Sequence, residues 1–281
     1  MTSLVTTQWL AAELGSPNLV LIDASSHLPS AGRDPAAEFA TAHIPGARFL
    51  SLSTLIDPDS PVPAALPTRE QFDARMSALG VQAGDRIVLY DNSVMRTSSR
   101  AWFIFRLYGA EPYAVLDGGM QKWQAEGRPV EGGQPAITPS QFHSSGGAGS
   151  VRCKLDMLAN VDSRAEQVVD ARDPGRFTGT TEDLVHDLPG GHIPGARNVF
   201  FADLLREDTT FRSPEELAAA FAKAGIDPNA PLAASCGGGV TASVVLFAHH
   251  LLGHDHGALY DGSWSEWGAD PATPKETGHA A

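Results

Sequence analysis

The sequence predicts an α/β protein made of two tandem domains, each with a mainly parallel sheet flanked by helices on both faces. Three observations support this prediction: an internal repeat, short apolar runs typical of buried strands, and helical patterns between those runs. The length of 281 residues suits two modest domains, because a domain commonly holds about 150 residues. Hydrophobic residues make up 42% of the chain, which is enough for a packed core.

The repeat consists of three segments that recur in the same order and at nearly constant spacing. The matching pairs are residues 43–48 (HIPGAR) and 192–197 (HIPGAR), 21–25 (LIDAS) and 168–172 (VVDAR), and 116–119 (LDGG) and 260–263 (YDGS). This duplication predicts one domain over residues 1–130 and a second over residues 153–275. Residues 131–152 are rich in Gly, Pro and Ser and show no periodicity, which predicts a linker between the domains.

The elements of each copy follow from its apolar pattern. Runs without polar alternation are typical of parallel strands that are covered on both faces. They predict strands at residues 19–22, 86–90 and 114–116 in the first copy and at 167–169, 231–234 and 258–260 in the second. Helical spacing predicts helices at 68–79, 98–108, 213–224 and 241–252. The third of these helices has a clear start, with Ser213 as N-cap and Pro214 in the first turn.

Charge and cysteine usage exclude several functional classes. The net charge of −13, with no basic run to offset it locally, disfavours nucleic-acid binding. The two cysteines, Cys153 and Cys236, cannot form a disulfide framework, and no pattern has the spacing of zinc ligands. No secretion signal and no membrane-spanning apolar run is visible. We therefore expect a cytoplasmic protein with no nucleic-acid or membrane partner.

Cys236 carries most of the functional signal. It follows a predicted buried strand and opens a turn of three glycines before a predicted helix, which places it where open α/β sheets bind ligands. Successive glycines let backbone N–H groups converge, so that they and the helix dipole would stabilise a nucleophilic thiolate. The alternative is an inert buried thiol. A phosphate-binding P-loop is disfavoured, because no Lys-Ser/Thr pair follows the glycines. In the first copy Asn92 aligns with Cys236, so that copy has no equivalent thiol.

These features together resemble the two-domain sulfurtransferases built from tandem rhodanese domains. The resemblance rests on both HIPGA motifs, on the LDGG and YDGSW segments, and on one cysteine loop in the second copy. Thiosulfate sulfurtransferases of this family have two basic residues after the cysteine, whereas the 3-mercaptopyruvate branch has an uncharged loop. The loop here resembles the second kind: Cys236, Gly237, Gly238, Gly239, Val240 and Thr241.

The resemblance implies a reaction and a set of site residues. Cys236 would take sulfur from 3-mercaptopyruvate as a persulfide, release pyruvate, and pass the sulfur to cyanide or to a thiol acceptor such as thioredoxin, without a metal or cofactor. Residues 237–241 would bind the donor, and Arg176 would clamp its carboxylate, unless it simply pairs with a neighbouring acid. His43 and Asp34 would handle the substrate proton, although a structural role within its loop is the alternative for His43. Arg100 is a further substrate-binding candidate, with a local ion pair as its alternative.

Two positions depart from the branch. Gly238 stands where the branch has a serine hydroxyl, and Val185, followed by His186, stands where it has a second arginine. Three other functions therefore stay open at this point: a thiosulfate:cyanide sulfurtransferase, a cysteine phosphatase, and a non-catalytic sulfur carrier. The phosphatase is disfavoured because its arginine would fall on Ala242.

Overall fold

The computed structural model describes residues 1–279 and divides the chain into two compact units. Unit 1 comprises Met1–Pro58, Leu66–Gly149 and Glu207–Phe211, and unit 2 comprises Asp59–Ala65, Ser150–Arg206 and Arg212–Ala281. Within the described residues no helix has the length and apolar character that a membrane crossing requires.

Unit 1 contains a five-stranded sheet in which every recorded strand pair is parallel. Its strands are β1 (Leu4–Val5), β2 (Leu19–Asp23), β3 (Ala47–Phe49), β4 (Arg86–Tyr90) and β5 (Tyr113–Leu116), in the spatial order β1-β5-β4-β2-β3. Its α-helices are α1 (Thr7–Glu13), α2 (Pro35–Thr41), α3 (Arg69–Ala78), α4 (Ser98–Tyr108) and α5 (Gly119–Ala125). One core cluster packs around the buried side chains of Phe39, Tyr90 and Trp123.

Unit 2 repeats this arrangement with its own five-stranded parallel sheet. Its strands are β6 (Ser150–Arg152), β7 (Gln167–Asp170), β8 (Arg197–Asn198), β9 (Leu232–Ser235) and β10 (Ala258–Tyr260), in the order β6-β10-β9-β7-β8. Its α-helices are α6 (Lys154–Ser163), α7 (Pro174–Thr178), α8 (Pro214–Lys223), α9 (Ala242–Leu251) and α10 (Ser263–Trp267). The two strand orders correspond position by position, which confirms the predicted duplication and the α/β class.

The predicted elements agree closely with these bounds. Strands β4 and β10 and helix α4 match their predicted ranges, and the other predicted elements differ by one residue or less at each end. Helix α8 begins as predicted, with Ser213 Oγ accepting the Glu216 amide and the Glu216 side chain accepting the Ser213 amide.

The segment predicted as a linker, residues 131–152, follows the surface of unit 1 as far as Gly149. Glu131 forms a backbone bridge with His43, and the amide of Ser140 donates to the Ser77 carbonyl. Residues Ser150–Arg152 then form β6, the edge strand of the second sheet. Residues 131–149 contain no helix or strand, in agreement with the predicted linker, whereas the linker prediction was wrong for residues 150–152, which are part of the second sheet.

Candidate active site

Cys236 lies directly after β9, with β7 on one side of that strand and β10 on the other. The loop of residues 236–241 connects β9 to α9, whose first residue is Ala242. The carboxyl ends of parallel strands are the usual ligand-binding edge of such sheets. The thiol is free and its residue is only 2% exposed.

The backbone on both sides of the thiol is held by the start of α10. The Cys236 amide donates to Ser263 Oγ at 3.1 Å, and the Cys236 carbonyl accepts the Trp264 amide at 3.0 Å. The Gly237 carbonyl accepts the Ser265 amide at 2.8 Å. These bonds explain the YDGSW segment of the repeat, because its residues fix the backbone that carries the cysteine.

Most of the amides that follow the thiol donate no hydrogen bond within the part of the chain that the structure describes. Gly239 has a φ of +77°, a left-handed conformation that glycine adopts without strain, and its carbonyl accepts the Ser243 hydroxyl. Within residues 1–279, four loop amides donate no hydrogen bond: those of Gly237, Gly238, Val240 and Thr241. A group of free N–H donors at the start of a helix favours a bound anion.

The equivalent loop of unit 1 uses its amides internally. Asp91 Oδ1 accepts the Ser93 amide at 2.8 Å, and Asp91 Oδ2 accepts the Ser98 amide at 2.9 Å. The amide of Asn92, which aligns with Cys236, donates to Ser25 Oγ at 2.8 Å. The two copies therefore share a backbone plan, but only the loop of unit 2 has both a thiol and several unpartnered amides.

Arg176 lies on α7, which Asp173 caps by accepting the Arg176 amide. Its Nε donates to Asp173 Oδ2 at 2.5 Å, and its Nη1 donates to Asp183 Oδ1 at 3.4 Å. Arg176 therefore does pair with a neighbouring acid, Asp173, as the alternative to the carboxylate clamp expected, and Asp183 is a second partner. Arg176 Nη2 has no hydrogen-bond partner among residues 1–279, so that part of the guanidinium is available to a carboxylate.

His186 was not assigned a role from the sequence, yet the structure places its ring against the cysteine loop. A Cβ atom at Gly237 would clash with His186 Cε1 and lie 3.0 Å from Nδ1. A Cβ atom at Gly238 would lie 3.6 Å from His186 Nε2. The only sequence signal was the spacing of three residues between Asp183 and His186, which is too common to indicate a site.

Asp183 links His186 to two arginines. Its Oδ1 atom lies 3.0 Å from His186 Nδ1, and its side chain is fully buried. Burial alone would raise the pKa of the Asp183 carboxyl. The hydrogen bond and charge of His186, together with the charges of Arg176 and Arg172, outweigh burial and lower that pKa to about 2. Asp183 is therefore ionised at neutral pH.

Arg172 is the second arginine beside the Asp183 carboxylate. It is fully buried, donates from Nε and Nη2 to Asp170, and lies over the Trp264 ring at 4.5 Å from the ring centroid. Its Nη1 atom is 3.7 Å from Asp183 Oδ2. The end of β7, the cysteine loop and α10 are thus connected through charged and aromatic contacts within unit 2.

His43 makes contacts in unit 1 that favour the structural alternative. Its ring stacks on Phe39 with centroids 4.0 Å apart, Nδ1 is 2.7 Å from the Phe39 carbonyl, and Nε2 is 3.5 Å from Glu131. The twin His192 has matching contacts in unit 2, with Phe177 stacked at 3.9 Å and its carbonyl 2.8 Å from Nδ1. The same contacts in both copies explain why the repeat contains a histidine at this position.

Asp34 and Arg100 also belong to unit 1. Asp34 is exposed and caps α2, since its Oδ1 accepts the amides of Ala36 and Ala37. The structure does not hydrogen-bond Asp34 to His43, whose ring nitrogens lie near Phe39 and Glu131. Arg100 is buried in the first turn of α4. The other cysteine, Cys153, belongs to unit 2, where it is the N-cap residue of α6 and is exposed.

Comparison with known proteins agrees with the resemblance. A family model described as the rhodanese-like domain matches residues 6–126 and again residues 155–270. The chain is 38% identical over 271 residues to the 3-mercaptopyruvate sulfurtransferase of Rattus norvegicus, covering 94% of this chain and 91% of that protein. It is 36% identical over 272 residues to the thiosulfate sulfurtransferase of Cricetulus griseus, with coverages of 94% and 91%.

A solved structure shows the same fold. The crystal structure of SseA from Escherichia coli, described among 3-mercaptopyruvate sulfotransferases with a rhodanese fold, superimposes with a TM-score of 0.85 at 35% identity. The match covers 94% of this chain and 99% of that one. The chain therefore belongs to the rhodanese-like family, and it carries two rhodanese-like domains in tandem.

Proposed function

We propose that this protein is a sulfurtransferase that takes the sulfur of 3-mercaptopyruvate onto Cys236 and releases pyruvate. The observation that carries the proposal is the loop after β9, where a free thiol is followed by four unpartnered amides. The thiolate attacks the thiol sulfur of the donor, a sulfur–sulfur bond forms, and the carbon–sulfur bond breaks. The electron pair of the broken bond stays on the departing carbon, which becomes pyruvate after it gains a proton.

The charges around the loop suit a donor with one carboxylate. The loop offers neutral N–H donors, and Arg176 adds a single partly free guanidinium whose Nη2 can bind a carboxylate oxygen. The Arg176 bond to Asp173 orients that guanidinium before the donor arrives, which lowers the entropic cost of binding.

Thiosulfate is the second candidate donor, because one of the relatives is named for thiosulfate. It is a compact dianion, for which basic side chains in the loop would be favourable. Positions 237 and 238 are glycines, and the space beside Gly237 is filled by the His186 ring. We therefore rank 3-mercaptopyruvate above thiosulfate.

The acceptor and the compartment are part of the same proposal. Cyanide or a thiol such as that of a thioredoxin-like protein would remove the outer sulfur of the persulfide and regenerate Cys236. The net charge of −13 disfavours a nucleic-acid partner, because a negative protein repels the phosphate backbone. Both cysteines are free thiols, in keeping with a reducing compartment such as the cytoplasm.

Steady-state kinetics with the two donors test the proposal. We expect kcat/KM for 3-mercaptopyruvate to exceed that for thiosulfate by at least tenfold, and mass spectrometry to find one added sulfur atom on the peptide that contains Cys236. Cys236→Ser should lose both the label and turnover, whereas the matched control Cys153→Ser should keep both. A preference for thiosulfate would refute the donor, and a labelled enzyme that never turns over would indicate a sulfur carrier.

A further inference from the structure

His186 takes the space that side chains would occupy in the cysteine loop. Its Cε1 atom lies so close to the Cβ position of Gly237 that a side chain there would clash with it, and its Nε2 atom is 3.6 Å from the Cβ position of Gly238. The residue is partly accessible, with 22% of its side chain exposed, while its partner Asp183 is fully buried. A titratable ring is thus positioned at the loop that follows the thiol, between buried protein and solvent.

The contact with Asp183 determines which ring nitrogen is free. An ionised carboxylate only accepts hydrogen bonds, so the 3.0 Å contact with Asp183 Oδ1 requires a hydrogen on His186 Nδ1. In the neutral ring the lone pair is then on Nε2, the atom nearer to Gly238. Among residues 1–279 no group hydrogen-bonds to this Nε2 atom. An aspartate that orients a histidine in this way is a recurring device of acid–base catalysis.

The Nε2 atom of His186 lies beside a loop position that lacks a proton-carrying side chain. Gly238 has no hydroxyl, and apart from Cys236 itself only Thr241, at the far end of the loop, has a side chain that can hold a proton. His43 and its twin His192 have equivalent stacking and carbonyl contacts in the two copies, which a structural role explains for both. His186, by contrast, lies beside the cysteine loop of unit 2, and its hydrogen-bond partner Asp183 stands three residues earlier in the same segment (DLVH).

We propose that His186 is the acid–base residue of the reaction and that Asp183 is its positioning residue; this inference rests on the proposed function. When Cys236 thiolate bonds to the sulfur of 3-mercaptopyruvate, His186 Nε2 accepts the sulfhydryl proton. The carbon–sulfur bond breaks with its electron pair on C3, and His186 returns the proton to C3. The products are pyruvate and the Cys236 persulfide anion, so that atoms and charge balance without a further reactant.

This role applies to a carbon leaving group and not to the thiol itself. Removing the ring should therefore slow pyruvate formation while the reactivity of Cys236 toward a simple electrophile is retained. A purely structural role would instead change both, because a displaced loop would alter every reaction of the thiol.

The experiment compares His186→Gln with wild type and with the matched surface control His143→Gln. Glutamine can still donate to Asp183, but it cannot transfer a proton at neutral pH. We expect kcat for 3-mercaptopyruvate to fall about 100-fold or more, since acid–base groups contribute roughly 10²–10⁴-fold. Alkylation of Cys236 by iodoacetamide should stay within about threefold of wild type. Added imidazole should raise the kcat of His186→Ala at least tenfold above its value without imidazole.

Each other outcome refutes the inference. An activity of His186→Gln within threefold of wild type would show that the ring carries no essential proton. A parallel loss of alkylation and turnover, without imidazole rescue, would show that the ring only holds the loop. If wild type itself fails to produce pyruvate while the thiol alkylates normally, the proposed function falls, and this inference falls with it.

Discussion

Replacing Gly237 with alanine should destabilise unit 2 through one identified contact. The φ of Gly237 lies outside the left-handed region, so the backbone itself tolerates a side chain. The new Cβ would clash with His186 Cε1 and force the ring away from Asp183. Loss of a hydrogen bond to a charged group costs about 1.5–3 kcal/mol. The reduced freedom of the unfolded chain offsets about 0.4–1 kcal/mol of this cost.

The expected net loss is therefore about 1–2 kcal/mol in the free energy of unfolding. Urea unfolding of Gly237→Ala, His186→Ala and the double variant measures it as a double-mutant cycle. The cost of the alanine should largely disappear in the His186→Ala background, because no ring is left to displace. Gly238→Ala is the matched control, since its Cβ would make only an ordinary contact at 3.6 Å. An equal cost in both backgrounds would refute the contact.

Three further predictions concern other contacts. Arg176→Gln should raise KM for 3-mercaptopyruvate about tenfold or more with a smaller effect on kcat, and steady-state kinetics would contradict the carboxylate contact if KM were unchanged. His43→Ala and His192→Ala should each lower the free energy of unfolding by a similar amount, about 1–3 kcal/mol, because each loses an equivalent ring stack and a buried hydrogen bond. A large loss of kcat for His43→Ala at wild-type stability would instead support a catalytic role for His43. Burial, with help from neighbouring histidines, lowers the pKa of His249 to about 4, so the folded protein binds its proton less readily than the unfolded chain. The free energy of unfolding should thus fall by about 1–2 kcal/mol as pH drops from 6.5 to 4. Denaturant titrations at several pH values should show that the unfolding free energy of His249→Gln depends less steeply on pH over this range.

Local pattern predicted β2, β4, β5, β7, β9 and β10 and helices α3, α4, α8 and α9, because their signals lie in neighbouring residues, but it did not predict the other elements. Buried runs such as the one in β4 lack polar alternation, and the start of α8 has a capping box within four residues. The position of Cys236 followed from the same kind of signal, a strand followed by glycines and a helix.

The contacts that complete the site could not be predicted in this way. His186, held by Asp183, lies beside the cysteine loop from a segment about 50 residues earlier in the chain, and no periodicity marks that segment. His43 drew attention through its motif, but the stack on Phe39 that explains the motif depends on the backbone geometry of α2 and the residues after it. Residue types therefore suggested which chemistry was present, while only three-dimensional contacts showed which histidine lies beside the cysteine loop.

The two homologous loops differ in a way that limits how a second reactive centre could arise. Replacing Asn92 with cysteine would place a sulfur atom in unit 1, but the amides of residues 92, 93 and 98 there already donate to Ser25 or Asp91. An ionised sulfur at that position would lack stabilisation until those side chains were also replaced. A single added thiol at this position would therefore not reproduce the loop that follows Cys236, because the Asp91 carboxylate already accepts two of the amides of the unit 1 loop.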